Sequence, residues 1–405
     1  LMKVTKHQAN EDMAWRLIDN SRPTMVWLRN HGIRFIPMFG RQSFMVDGKH
    51  HFYGGVNIEA VGGGSGLVEA EIRRALQIGC EIRYDTAATR LIQDKNKKIT
   101  GLEISSPDGI ETINARSIVL ACGGFESNPE MRARYLGPGW DLARVRGTKH
   151  NMGDGIKMAI DIGARAYGNW SGCHSVGWDI SAPEYGDYEV LDNFQKHSYP
   201  WGIMVNTDGN RFVDEGEDLR NHTYVKFGRE IMKQPNRTAV QIFDQKTIPL
   251  LRDEYRIRQV TKVSGNTIAE LAQELEINAS ALTKTIDEFN AACKPGKFNP
   301  SILDGVATTG LNPNKTNWAL PIDEPPFEAF ITTTGVTFTF GGLKVDDKGS
   351  VLDNNDRSIS GLFAAGELVG GLFYENYPGG SGLMAGAVYG KIAGENAASY
   401  AVGNT

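Results

Sequence analysis

Glycine-bearing backbone at the ends of apolar runs is the part of this sequence best placed to do chemistry. Four such runs stand out: "IVLACGGF" (118–125), "GDGI" (153–156), "GLFAAGE" (361–367) and "NYPGGSGL" (376–383). Glycine at a strand end lets backbone approach a ligand with no side chain between them. Gly123 and Gly124 therefore suit a large group lying against the strand end, with a tight turn as the plainer alternative. "GDGI" opens a helix whose free N–H groups attract phosphate or another anion. Asp154 is then either part of that site or a favourable first-turn charge. Glu367 ends an apolar strand, where a carboxylate can accept from ribose-type hydroxyls. Gly380, Ser381, Gly382 and Leu383 lead into a helix whose N-terminus can hold a polar ring edge or carbonyl. Between these runs lie polar side chains that could act on a substrate: His174, His197, Tyr199, Arg211, Arg220 and His222.

The elements that position these residues follow from periodicity. Residues 9–33 read as a helix capped by Asn10, with Met13, Leu17, Ile18, Met25, Val26 and Leu28 at helical spacing, broken by Pro23 and ended by Gly32. Residues 62–94 give a glycine-rich lead-in, a helix, a glycine stop and a strand. Residues 97–121 hold two β-rich segments around an "SPDG" turn, and 151–166 a short helix. "IMVN-TDGN-RFVDE" (203–215) predicts a hairpin, residues 266–293 are mostly helical, and the Pro/Asn-rich stretches that follow predict long loops. From about residue 171 the composition shifts towards Trp, Tyr, Asp and Pro. The expected organisation is one α/β nucleotide domain built from both chain ends, 1–170 and 339–405, around an inserted α+β unit, 171–338.

Composition sets the outer limits. The chain has 405 residues, 40% hydrophobic and 22% charged, enough for two or three structural units. A formal net charge of −5 gives no electrostatic footprint for nucleic acid. The 47 glycines are not periodic; they cluster at 54–55, 62–64, 123–124, 341–342, 370–371 and 379–382. Cys80, Cys122, Cys173 and Cys293 form no C-x-x-C pair, so structural zinc and iron–sulfur ligation are not expected. No apolar run reaches spanning length and no signal-peptide pattern opens the chain, so a cytoplasmic protein is expected.

The ordered series "ACGGF", "GDGIKMA", "NRFVDE", "FGGLKVD", "GLFAAGE", "GGSGL" and "GKIAGENAA" resembles the fumarate reductase/succinate dehydrogenase flavoprotein superfamily across nearly the whole chain. Within it, "RYLGPGWDLARVRGTKHNMGDG", "FQKHSYPWGIMVN" and "NYPGGSGL" are most similar to the FAD-dependent tricarballylate dehydrogenases. The resemblance implies a Rossmann-like FAD-binding domain with non-covalent FAD and a capping domain closing over the substrate. It places Ala121, Gly123, Gly124, Asp154, Glu367, Gly380, Ser381, Gly382 and Leu383 against FAD, and Ala88 at the adenine-side turn. The family opens with a strand, a G-x-G-x-x-G loop and a helix. That motif is absent from this sequence, so an N-terminal βαβ unit is expected to be missing, about 30 residues or more.

The resemblance also implies a reaction. A flavin takes hydride from one carbon of a carboxylate-bearing C–C bond, and a protein group takes the proton from its neighbour. Arg211 matches the arginine that exchanges this proton, and His174 falls near a substrate-carboxylate histidine. Two departures are visible. Phe338-Thr339-Phe340 stands where the fumarate reductases have a histidine pair, and Tyr377-Pro378 where they have an arginine. "Y-P-G-x-G" is instead similar to the 3-ketosteroid dehydrogenases, in which a tyrosine and a glycine N–H polarise a ketone. Expected partners are a small carboxylate substrate and a separate electron-accepting protein or quinone-linked acceptor. Readings left open are a steroid-type or fumarate-type flavoenzyme, and a non-catalytic protein of the flavin fold.

Overall fold

A computed structural model describes residues 1–46, 48–52 and 56–403, apart from the side chains of residues 41, 44 and 46. The glycine pair 54–55 lies outside the described residues. The helix Glu11–Asn30 is capped as expected, with Asn10 Oδ1 accepting from Met13 N at 3.0 Å. It does not break at Pro23. The only helical bond a proline cancels there is the one to the Asp19 carbonyl, and both residues are exposed, so water can take that carbonyl. Met13, Ala14, Leu17 and Leu28 are buried while Ile18 and Val26 face outward. The buried stripe lies near the C-terminal helix Ser381–Val402, whose Tyr389 Oη donates to Met13 O at 2.9 Å.

The two chain ends build one small sheet. Ile118–Leu120 pairs in parallel with Ser358–Ala364, Leu120 opposite Ala364, and Ser350–Leu352 adds an antiparallel edge. Residues far apart in sequence thus end side by side, which sets "ACGGF" next to "AAGE". Beside this sheet lies an antiparallel one, Ala87–Gln93, Ile99–Ser106 and Gly109–Asn114. The helix Asp154–Asp161 packs on its first strand. These are the expected β-segments and helix, and with the helices at either end they give the mixed α/β architecture.

Two long strands leave this region together. Ala166–Asp179 and Phe327–Leu343 run antiparallel, with Cys173 opposite Thr339 and His174 opposite Phe338. They enter a six-stranded sheet that also holds Ala239–Phe243, Ile203–Asn206 and Lys262–Gly265. The short strand Arg144–Val145 adds in parallel to Gly335–Val336. The expected 203–215 hairpin forms only its turn: Asn206 N donates to Asn210 O, one bridge joins Val205 to Arg211, and the second arm leaves the sheet. Ile203–Asn206 pairs instead with Ala239–Phe243. The helices Ile268–Glu274 and Ala279–Ala292, capped by Thr267 and Asn278, close a separate apolar core against these strands.

The helix Arg220–Met232 lies across the long strand Ala166–Asp179, and Gly228 makes the contact possible. A Cβ there would stand 2.4 Å from the Ser175 carbonyl carbon. Thr334 Oγ1 donates to Gly228 O at 2.7 Å and holds the helix in place.

Lys315 is buried near the second core, donating to Pro200 O at 2.8 Å and Gly202 O at 2.6 Å. Burial pulls its pKa down to about 8. Between about pH 8 and the unfolded value the unfolded chain binds more protons, so this group makes stability rise with pH across that window. The gain is on the order of 3 kcal/mol at most. Thermal melts from pH 7 to 10 should show the wild type gaining on Lys315→Met as pH rises; a constant gap would contradict this.

Candidate flavin site and the charged cluster beside it

The glycine-bearing runs converge in space. Gly153, left-handed at φ 83°, donates its N–H to Gly124 O at 3.0 Å, bringing "GDGI" against "ACGG". Gly155 leaves room for the Cys122 sulfur, since a Cβ there would stand 2.0 Å from Sγ. Asp154 opens its helix directly behind. Ala365 N donates to Leu120 O at 3.0 Å, which delivers Glu367 beneath Gly124. A Cβ on Gly124 would lie 2.1 Å from Thr339 Oγ1 and 2.2 Å from Glu367 Oε1.

Thr339 joins three segments. Its Oγ1 accepts from Phe125 N at 3.2 Å and donates to Glu367 Oε1 at 3.2 Å, and its own N–H donates to the same oxygen at 2.7 Å. Glu126, which accepts from Asn151 Nδ2, is the neighbour of Glu367. Burial, reinforced by Glu126, holds the Glu367 carboxyl well above the usual carboxylate range; burial raises Glu126 as well. Both shifts favour a proton shared by the pair, and a pair holding one can offer both a donor and an acceptor.

Gly380, at φ 85°, opens the C-terminal helix with no side-chain cap among the described residues. Leu383 in its first turn is 77% exposed, and Ala121 and Cys122 are exposed too. Uncapped helix N–H groups, bare strand-end backbone and an unpacked leucine form a wall that is partly polar and partly apolar. That wall fits the edge and face of a flavin. Ala88 sits apart from this wall, in the strand on which the Asp154–Asp161 helix packs, with its side chain towards the main core.

A second group lies where Tyr377 meets Gly382; a Cβ on Gly382 would be 3.3 Å from the Tyr377 hydroxyl. The Tyr377 ring stacks on His174 at 4.9 Å, and Tyr224 stands edge-on to both His174 and His197 at 5.1 Å. Arg220, first residue of its helix, holds its guanidinium 4.6 Å over the Tyr224 ring. Arg146 Nη1 donates to His174 Nδ1 at 3.1 Å. His174 is 2% exposed, and burial with the Arg146 and Arg220 charges pushes its pKa well below the ordinary value. It is a neutral imidazole, and because Nδ1 accepts, the proton is on Nε2. Nε2 is buried and has no hydrogen-bond partner among the described residues. His197 is likewise kept neutral by burial and nearby arginines. Burial holds both phenols protonated, Tyr377 well above its usual value, and the two rings stand edge-to-face at 6.5 Å.

The chain belongs to the FAD binding domain family. That family matches residues 1–383. "Probable fumarate reductase Ifc3" of Shewanella frigidimarina (strain NCIMB 400) is 28% identical over 406 residues, covering 99% of this chain and 63% of the relative. The urocanate reductase of Eggerthella lenta is 28% identical over 351 residues, covering 84% and 54%. The open conformation of a flavocytochrome c3 fumarate reductase superposes with a TM-score of 0.73 at 26% identity, covering 99% of this chain and 66% of that one. A 3-ketosteroid delta1-dehydrogenase from Sterolibacterium denitrificans shares the fold, with a TM-score of 0.74 at 22% identity over 98% and 87%. The chain thus spans less than two thirds of the relatives it matches first. The family's cofactor is FAD, and the backbone gathered around Gly124, Glu367 and Gly380–Leu383 is the candidate place for it. Among the described residues no group of His, Cys, Asp and Glu could hold a metal, no cysteine is paired, and no helix is long and apolar enough to cross a membrane.

Arg211 is not among the residues that converge on Tyr377. Its guanidinium lies over Phe289 in the second core. It donates to Glu215 from Nε at 3.1 Å and Nη2 at 2.5 Å, to Pro313 O at 2.9 Å and to Val213 O at 3.1 Å. Glu215 accepts in turn from Met204 N at 2.7 Å. Four of five donors are engaged in holding a turn, which corrects the expectation that Arg211 faces substrate. Sequence reasoning passed over Arg146 and Tyr224; only the fold places them beside His174.

Two outcomes follow. Gly124→Ala should bind little FAD, read as flavin absorbance after gel filtration; full flavin content would mean the wall tolerates a side chain. Arg211→Ala strands Glu215 as a buried charge and should cost about 3 kcal/mol or more in chemical denaturation, where an unchanged midpoint would contradict a structural role.

Proposed function

We propose that this chain is the FAD-dependent oxidoreductase unit of an enzyme that dehydrogenates, or in reverse reduces, a C–C bond next to a carboxylate, with a tricarballylate-type polycarboxylate as substrate. The observation that carries this reading is the cluster of two buried guanidinium groups, two neutral imidazoles and two protonated phenols beside the flavin wall. Several relatives carry names of the same chemistry: fumarate, acrylate and urocanate reductases. Residues 171–338 act as the capping unit over the FAD-binding remainder.

FAD, when bound, supplies the hydride acceptor. Every other part of the step falls to the chain. Ala121, Gly123, Gly124, Asp154, Glu367 and Gly380–Leu383 would hold the cofactor, with Ala88 supporting the helix that bears Asp154. Arg146, Arg220 and His174 Nε2–H bind and orient the carboxylates, and in a buried site their charges favour the negative charge that develops as the α-proton leaves. Tyr377 Oη, kept protonated, donates to a carboxylate or carbonyl oxygen. Arg220 replaces Arg211 as the residue that exchanges the proton. Its ordinary pKa above about 12 calls for a relay, for which the phenols of Tyr224 and Tyr377 in the same cluster are the candidates. Electrons then leave to a separate acceptor, a protein or a quinone-linked partner.

A second reading is a ketone substrate of the 3-ketosteroid type. It is favoured by the Tyr377 hydroxyl beside Gly382, a phenol and a helix N-terminus able to polarise one carbonyl together. Anaerobic titration of the FAD-loaded protein separates the two. Bleaching of the flavin by tricarballylate, with none by a 3-ketosteroid, is expected; bleaching by the steroid alone would sink the first reading. Arg220→Ala should lower the bleaching rate by about 100-fold or more with flavin content unchanged.

A further inference from the structure

The loop that carries Tyr377 is tied directly to the helix that carries Arg220. Asn376 Nδ2 donates to His222 O at 2.7 Å, and Gly379 N donates to Asn221 O at 3.2 Å. Both acceptors are carbonyls in the first turn of the helix Arg220–Met232, next to Arg220 itself. The same carboxamide serves the loop, since Asn376 Oδ1 accepts from Tyr377 N at 2.9 Å. One side chain thus holds the backbone of Tyr377 with its oxygen and the head of the helix with its nitrogen.

The loop is held in a shape it would not take by itself. Glu375 is left-handed at φ 58°, a conformation that a residue with a Cβ keeps only where its surroundings impose it. Its N–H donates to Asn169 Oδ1 at 3.0 Å and its carboxylate pairs with Lys6. Asn376 N then turns back to Tyr374 O at 2.6 Å. Beyond this turn the Tyr377 ring is packed against His174, Phe373 at 4.8 Å and Phe338 at 5.9 Å. With the ring packed and its backbone held, the place of the hydroxyl relative to Arg220 is set by the Asn376 carboxamide.

We infer that Asn376 is a positioning residue that locks the Tyr377 phenol and the Arg220-bearing helix into one frame, so that both groups meet the substrate together. What the two groups do there rests on the carboxylate-substrate reading above; the coupling between them does not. A helix that moves away from the loop breaks the Asn376–His222 and Gly379–Asn221 bonds and takes Arg220 away from Tyr377. The frame is therefore complete only when the two segments are joined.

The test is a double-mutant cycle in the FAD-loaded full chain, followed as the rate of flavin bleaching by tricarballylate. Asn376→Ala should slow bleaching by about tenfold with flavin content unchanged, and should slow Tyr377→Phe no further, because the hydroxyl it positions is already gone. An equal loss in both backgrounds, or no loss at all, makes Asn376 structural and overturns the inference while leaving the carboxylate reading intact. A second measurement needs no substrate. In protein with isotope-labelled tyrosine rings, the Tyr377 resonance is identified by its loss in Tyr377→Phe. It should shift in Asn376→Ala while that of Tyr389, bonded to Met13 O, stays in place; an unmoved Tyr377 resonance overturns the inference equally. If tricarballylate and succinate fail to bleach the wild type, the carboxylate reading falls and the resonance alone decides. Asn376→Ser carries both measurements if Asn376→Ala does not fold.

Discussion

Thr339 is the joint on which the rest of the molecule depends. One hydroxyl and one N–H tie the strand end at Phe125 to the carboxyl of Glu367. These belong to the outgoing end of the first glycine run and to the end of the returning strand, and the long strand carrying Thr339 lies between them. With the Glu367 carboxyl buried and its acceptor oxygen engaged twice, the junction has little freedom to shift. Gly124 lies directly against it, and its missing Cβ is what leaves room for the Thr339 hydroxyl and the Glu367 carboxyl to meet. Thr339 is also one residue from Phe338, the partner of His174 across the strand pair. Cofactor wall and charged cluster are therefore set by the same short piece of β-structure.

The cluster itself is an arrangement of charge kept dry. Two arginines beside two imidazoles would be unfavourable if the imidazoles were protonated, and burial together with the guanidinium charges keeps them neutral. Tyr224 serves both sides of this arrangement. Its ring faces the Arg220 guanidinium while its edge meets both histidines, so a cation is held close to neutral donors. Arg252 and Glu254, buried together nearby at 3.0 Å, show the contrasting solution of direct pairing.

The glycine-bearing runs were readable as elements because their form is local: a strand end, a helix start and a missing side chain are written in a few adjacent residues. That "ACGGF", "GDGI" and "GLFAAGE" meet depends instead on contacts between distant segments, above all the pairing of Ile118–Leu120 with Ser358–Ala364. The charged cluster was readable only in part. His174 and Tyr377 were singled out from motifs, and Arg220 was one candidate among several. Arg211 stood inside the most suggestive motif, yet its i,i+4 partner Glu215 was the signal that it serves the fold. Arg146 and Tyr224 carried no local mark, because their roles come from strand pairing and helix docking across long separations. Pro23 and the 203–215 turn misled for the same reason. Local rules ended a helix and completed a hairpin where solvent exposure and a better strand partner decided otherwise.

Gly228 has a consequence for how firmly two groups of the charged cluster are spaced. With no side chain between helix and strand, the two elements meet backbone to backbone, and Thr334 pins them. Arg220 at the head of the helix and His174 on the strand therefore keep a constant separation whatever the loops around them do. The pair is a gauge of fixed length, a guanidinium at one end and a neutral imidazole at the other.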